Sequence, residues 1–480
     1  MRLSIKFVIH ILIVIPLILL SYAIYESWFI TSSSFMSLLF LALCIWLLIT
    51  SNIERTSYFN PYTLFLVAAI LFNGGQVLLY ALGLNDFILD GKFQQKIINQ
   101  TIFLVMVGLS FFHLGGLLSE HNYYNKTDKI VNQKERGKFS DFELRVMGWL
   151  LLSISIIPTF ILLKNSIETV QQGGYFSLYQ QEKVTSFKAA PSVLSDFLIP
   201  GTLFLLGGSN LKNKKIPLII SFILIIIYTF IQFMLGSRSS AIMPLIAYLW
   251  LFDMKIKKIP RLPLLFGGAV TLFIIFPFVK FIRNSTEINL LDAFREFFMV
   301  QNPVIAILNE MGFSMATVAY TIEFIPSIKN FEFGMSYIYG LLTILPNIFG
   351  DIHPAATKKL ADWLVSTIDT SLASIGGGYG YSFIAEAYAN FGWLGSPLAM
   401  LIIGYLYRSF ILKAQISGET AKLVMVSSFL AYFFFFARGE SISQFRPLIW
   451  YSIIPYLGLY LIKDICMMYN KKINRLVSTK

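Results

Sequence analysis

The chain has 480 residues, of which 56% are hydrophobic and only 13% charged, with a formal net charge of +12. Mean hydropathy is +0.68; a soluble protein of this length has nowhere to bury so much apolar surface, so lipid must be part of its solvent. Several soluble domains are thereby excluded, while a nucleic-acid partner stays open only until the positive charges are mapped along the chain.

The expected fold class is all-α: a polytopic membrane protein with about twelve transmembrane helices. Met1 to Lys6 followed by an apolar stretch resembles a signal peptide, but the stretch is too long and no small-x-small cleavage site follows, so it reads as a retained first span. The first four expected spans are Phe7–Ile24, Phe29–Thr50, Tyr62–Gly83 and Ile98–Ser119. The next four are Leu144–Leu163, Val193–Gly208, Ile216–Leu235 and Ser240–Met254. Pro263–Ile282, Ala389–Tyr407, Leu423–Ala437 and Pro447–Ile462 complete the set. Residues 1–282 thus form nine spans, 283–388 a large loop, and 389–480 three spans and a tail. No internal repeat of the kind found in two-fold transporters is visible.

With both termini cytoplasmic, the inner segments hold about 24 Lys and Arg against about 9 acids, and the outer ones about 14 against about 17. The positive charge is therefore an orientation signal, which removes the nucleic-acid reading. The outer loop from Arg283 to about Tyr388 is far longer than a connector needs to be. Leu290–Met311 and Thr357–Leu364 have helical apolar spacing within it. Pro303, Pro326, Pro346 and Pro354 are expected to break it into short helices, and Gly376–Gly378 to act as a hinge.

Five arginines fall outside, where the charge rule should deplete them: Arg238, Arg283, Arg295, Arg438 and Arg446. Four of them, all but Arg295, sit at span ends. Guanidinium forks match phosphate oxygens bidentately, so a diphosphate at headgroup level suits this set. The plain alternative is snorkelling, or ion pairing with Glu440 or Glu287. Glu386 is a single acid in an apolar helical stretch, Gly376 to Gly392, and is a candidate hydroxyl-orienting group or base. Its plain alternative is a structural ion pair with an arginine. His353, in Asp351-Ile352-His353-Pro354, is a second candidate base, against an incidental loop histidine. No nucleotide-binding loop, kinase signature, GxSxG elbow or metal-spaced cluster occurs, and Cys44 and Cys466 form no CxxC.

Gly236-Ser237-Arg238-Ser239, Gln171-Gln172-Gly173-Gly174, Gly378-Tyr379-Gly380 with Ala385-Glu386 and Asn390-Phe391-Gly392, and Arg438-Gly439-Glu440 with Phe445-Arg446-Pro447 together give the chain its local marks. With its topology, the chain resembles the Wzy-type polymerases of O-antigen or capsular repeat units. The resemblance implies a GT-C-like fold in the bacterial cytoplasmic membrane and a substrate of undecaprenyl-diphosphate-linked oligosaccharide. It further implies a chain-length regulator and a flippase as partners, and no cofactor or metal. A hydroxyl of one repeat unit would attack the anomeric carbon of another, expelling undecaprenyl diphosphate. Arg238, Arg283, Arg438 and Arg446 would then bind the diphosphate, and Glu386 or His353 would take the proton.

Two readings compete. A lipid-linked oligosaccharide flippase or transporter would want charges lining a path through the spans, and the expected spans carry few. An O-antigen ligase would share the chemistry and differ in its acceptor. A metal-dependent enzyme of the same broad fold would need acids in a substantial first outer loop, and Tyr25–Trp28 is too short to supply them.

Overall fold

A computed structural model describes residues 3–51, 59–127, 138–174, 177–180, 190–211, 214–284, 297, 302–345 and 353–478. Among these residues there is no β-strand, and twelve helical stretches are long and apolar enough to cross a membrane; Pro303–Phe324 is one of them, and the expected span Ser240–Met254 is not. The protein is an all-α polytopic membrane protein, as its apolar runs require. The first helices are α1 (Leu3–Ile24), α2 (Ile30–Ser51), α3 (Pro61–Ala81), α4 (Gln95–Thr127) and α5 (Asp141–Gly173). There follow α6 (Ala190–Ser195), α7 (Leu198–Gly207), α8 (Lys215–Met234) and α9 (Arg238–Lys255). A π turn at Thr271–Ile275 joins α10 (Arg261–Val270) to α11 (Phe276–Asn284). The large loop holds α12 (Pro303–Gly312), α13 (Met315–Phe324), α14 (Met335–Leu342) and α15 (Leu360–Ile368). The chain closes with α16 (Phe383–Ser417), α17 (Thr420–Phe433) and α18 (Ile454–Ser478).

Helices α4 and α16 form the centre of the bundle. Close approach is possible because glycines face backbone: a Cβ on Gly404 would strike the Phe112 carbonyl, and one on Gly115 the Leu401 carbonyl. Lipid tails give helices no hydrophobic reason to associate, so small residues that let backbones touch do that work. Around this seam lies an aromatic core in which Tyr407 stacks on Phe433 at 4.3 Å and Phe65 packs on Phe112 and Phe383. The perimeter is apolar and open: Ile216, Phe230 and Met234 on α8 are all more than 60% exposed, as a lipid-facing surface demands.

The bundle has two chemically different ends. At one end Lys255 pairs with Asp141 at 3.0 Å, Arg145 donates to the Gly208 carbonyl at 2.6 Å, and Lys138 donates to Tyr460 at 2.7 Å. Arg408, expected in a loop, instead lies inside α16, fully buried against Glu120 at 2.9 Å and 4.4 Å over the Tyr62 ring. Arg238 and the large loop mark the other end. Helix α9 carries Arg238, Asp253 and Lys255 and is less apolar than its neighbours, yet its 18 residues, about 27 Å at helical rise, run from one end to the other.

The chain also departs from the expected boundaries. Helix α5 continues to Gly173 through a segment expected as loop, with Lys164 and Glu168 one turn apart at 3.7 Å. The segment Pro303–Phe324 is apolar enough to span, but Gly312 to Ser314 divide it into two helices of 10 residues each, too short to cross singly. Gly312 packs on the backbone of Gly75 and Gln76, Gln76 Nε2 donates to the Asn309 carbonyl at 3.1 Å, and Phe93 meets Tyr320 at 4.6 Å. These helices therefore cap the loop-bearing end, beside the termini of α3 and α4.

Candidate active site

The large loop is held down by buried polar bonds. Gly392 interrupts α16 with φ of 60°, a left-handed conformation that only glycine adopts freely. The break leaves the Ala389 and Asn390 carbonyls without helical donors, and the loop supplies them: Glu332 N at 2.9 Å and Phe333 N at 3.1 Å. The Asn390 amide accepts from Gly334 N at 2.8 Å and donates to Ser336 Oγ at 2.7 Å.

One turn earlier, Glu386 is fully buried. Its carboxylate receives Ser336 Oγ at 2.7 Å, Ser441 Oγ at 2.6 Å and Ser441 N at 2.7 Å. The bonds described at Glu386 thus come from hydroxyls and an amide, where sequence reasoning weighed an arginine. Glu440, equally hidden, accepts from Leu360 N at 2.8 Å and Ala361 N at 3.2 Å, which places its carboxyl group at the N-terminus of α15. Burial and the charge of Glu386 push the Glu440 carboxyl up to about 8. Together these groups tie loop residues 334–336 and 360–361 to the last spans, and fix the segment between Arg438 and Arg446.

Three of the expected arginines lie at this end. Arg238 forms a two-pronged ion pair with Glu310 of α12, one prong at 3.2 Å, and also donates to the Phe276 carbonyl at 3.3 Å. Both side chains are largely covered, at 16% and 22% exposure. Arg438 lies half-buried over Phe72 of α3 at 6.0 Å, and Gly380 approaches its Nε closely. Its backbone carbonyl accepts from Tyr381 N at 3.5 Å, while Asn73 ties the adjacent Ala437 carbonyl to α3 at 3.0 Å. Arg446 is half-buried just before Pro447, close enough to Asp196 and Tyr451 to act on them electrostatically. Arg283 falls in α11, with only its backbone described, and Arg295 lies outside the described residues, as does Glu287. His353 is buried and donates Nε2–H to the Leu345 carbonyl at 3.1 Å.

A cavity of about 420 Å³ opens at this end. It is bounded by Ser239 and Ser240, which follow Arg238, and by Ser443 and Gln444, which lie between Arg438 and Arg446. Asp196, at the bend between α6 and α7, also lines it. Sequence reasoning passed over Asp196 although it is a lone acid within an expected span, the signal that singled out Glu386. Glu310 was also missed; it is an ordinary acid in a loop helix, and only tertiary contact shows its partner. Among the described residues no three His, Cys, Asp or Glu converge as metal ligands do.

No curated protein and no solved structure matches the chain. A family model does: that of the O-antigen polysaccharide polymerase Wzy, over residues 7–470. The end of the bundle that gathers arginines, a docked loop and a polar cavity is thus the end to examine for polymer synthesis, and the chain belongs to the Wzy O-antigen polymerase family.

Proposed function

We propose that the protein joins undecaprenyl-diphosphate-linked oligosaccharide repeat units on the outer face of the bacterial cytoplasmic membrane, with both termini inside and no metal ion. The observation that carries this reading is the placement of Arg238, Arg438 and Arg446 at one end of the bundle, beside a hydroxyl-rich cavity and beneath a tethered loop.

The reaction needs positive charge where the leaving group departs. When the anomeric carbon loses its bond to the diphosphate oxygen, negative charge grows on that diphosphate. Preorganised guanidinium groups at headgroup level stabilise it, and more strongly in a site from which water is excluded. Arg283 joins the set as the fourth cation of the sequence reading. The docked loop excludes water that would otherwise hydrolyse the donor. Glu386 and His353 are the sequence reading's candidates for proton transfer from the acceptor hydroxyl. The complete burial of Glu386 beneath three protein donors favours a positioning role, because a base must be reached by the substrate hydroxyl.

Deletion and complementation with glycan analysis tests the function. Loss of a polymerase leaves single repeat units where the wild type shows long ladders. Accumulation of lipid-linked units inside the cell, with none outside, would replace this reading with a flippase. Long chains retained on the undecaprenyl carrier would replace it with a ligase.

A further inference from the structure

We propose that the cavity beside Arg446 binds the acceptor sugar and that Asp196 takes the proton from the hydroxyl that attacks. The proposal rests on the polymerase reading above and deepens it by assigning the acceptor site and its base.

The cavity has the make-up of a carbohydrate site. At about 420 Å³ it falls within the roughly 300–1,000 Å³ usual for small-ligand sites. A sugar ring presents hydroxyls at its edge and C–H groups on its faces. The lining offers both counterparts: Gln232, Ser240 and Gln444 for hydroxyls, and the rings of Tyr432 and Phe435 for the faces.

Gln444 supplies an independent sign of a ligand site. It is 7% exposed, and its Nε2 donates to Ser443 Oγ at 2.8 Å. Its Oε1 is buried with no hydrogen-bond partner among the described residues. A buried carbonyl oxygen without a donor is costly, and native structures seldom keep one without a reason. A sugar hydroxyl donating to Oε1 would satisfy it.

Asp196 is built differently from the other acids of this end. Glu386 and Glu440 are sealed in and receive three and two protein donors respectively. Asp196 is exposed, and it lines the cavity. Its Oδ2 accepts from Tyr451 OH at 3.0 Å, and its backbone carbonyl from Tyr432 OH at 2.8 Å. Two tyrosines, stacked on each other at 5.3 Å, thereby hold the carboxylate in place without using up its capacity to accept. Arg446 acts on it electrostatically, which couples the base to one of the proposed leaving-group cations.

The step balances. The acceptor hydroxyl gives its proton to the Asp196 carboxylate while its oxygen bonds to the anomeric carbon of the donor. The bond from that carbon to the diphosphate oxygen breaks, and its electron pair leaves with undecaprenyl diphosphate. Asp196 then returns its proton to water.

The test uses the full chain in proteoliposomes, with the lipid-linked repeat unit as donor and a repeat-unit oligosaccharide on a short alkyl aglycone as acceptor. Asp196→Asn should lower kcat by about 10²-fold or more, the usual contribution of a general base. Its affinity for undecaprenyl diphosphate should stay within twofold of wild type, and Asp196→Glu should recover part of the rate. Gln444→Ala should raise the acceptor KM about fivefold with kcat little changed. Wild-type turnover in Asp196→Asn overturns the proposal, as does loss of undecaprenyl diphosphate binding in step with transfer. If Asp196→Asn does not insert, Gln232→Ala and Gln444→Ala decide: unchanged acceptor KM in both overturns the proposal, raised KM in either supports it. A wild-type protein that forms no product longer than its substrates overturns the polymerase reading itself.

Discussion

Arg238 and Glu310 allow charge chemistry to be separated from scaffolding. In the resting protein the guanidinium already has a carboxylate partner, and a diphosphate would have to share or displace it. Exposed ion pairs are worth about 0–1 kcal/mol, while orphaning one member of a fully buried pair costs about 3–5 kcal/mol. At 16% and 22% exposure the pair lies between, so Arg238→Ala should cost about 2 kcal/mol of stability. Its effect on turnover should be larger: loss of one preorganised donor to a developing oxyanion costs about 10²–10³ in rate. Arg238→Lys keeps charge but not the two-pronged fork and should recover only part of this. The informative variant is Glu310→Gln. It leaves Arg238 in place and removes its competing anion, so diphosphate affinity should stay the same or rise. The assay is equilibrium binding of undecaprenyl diphosphate, with thermal unfolding in the same detergent. If Glu310→Gln weakens diphosphate binding as much as Arg238→Ala does, the ion pair is scaffolding and the reasoning fails.

Ser441→Ala removes a hydroxyl donor from buried Glu386; a hydrogen bond to a charged group is worth about 1.5–3 kcal/mol, so the melting temperature should fall, and an unchanged value would show the bond to be idle. Gly404→Val should force α16 away from the Phe112 carbonyl of α4 at a cost of at least about 1–3 kcal/mol, seen as reduced folded yield in detergent. Glu440 provides the pH test: its carboxyl is raised from 4.5 to about 8, so the folded state holds a proton that the unfolded state releases. The resulting stabilisation is complete below about pH 4.5 and is lost as pH rises through 8, at a slope of at most about 1.4 kcal/mol per unit. Melting temperature should therefore fall between pH 5 and 8 in the wild type and fall less in Glu440→Gln; parallel curves would refute it.

The spans were legible because lipid imposes a one-dimensional rule: about twenty apolar residues in a row. The arginines were legible because the charge rule predicts their absence from one side. What the chain does at right angles to the membrane was not. Prolines expected to break the loop also start helices: Pro303 occupies the first turn of α12 behind an Asn302 cap, where its missing N–H costs nothing. Helix α5 outlasts its apolar run because Lys164 and Glu168 are adequate helix formers in water. The partners of Glu386 come from positions 336 and 441, 50 and 55 residues away, and no local pattern announces contacts at that range.

These long-range partners decide how the acids should be interpreted. An acid in an apolar stretch can be a reactant or a fastener, and sequence alone treats both alike. The hydrogen bonds separate them. Glu386 and Glu440 spend their oxygens on Ser336, Ser441 and the first amides of α15, so they clamp the loop to the segment that carries Arg438 and Arg446. Glu310, from the same loop, reaches Arg238. Docking of the loop therefore bears both on the segment that carries Arg438 and Arg446 and on the pairing of Arg238. A substitution at Glu386 should then lower activity and stability together, whereas one at Arg438 or Arg446 should lower activity with far less loss of stability.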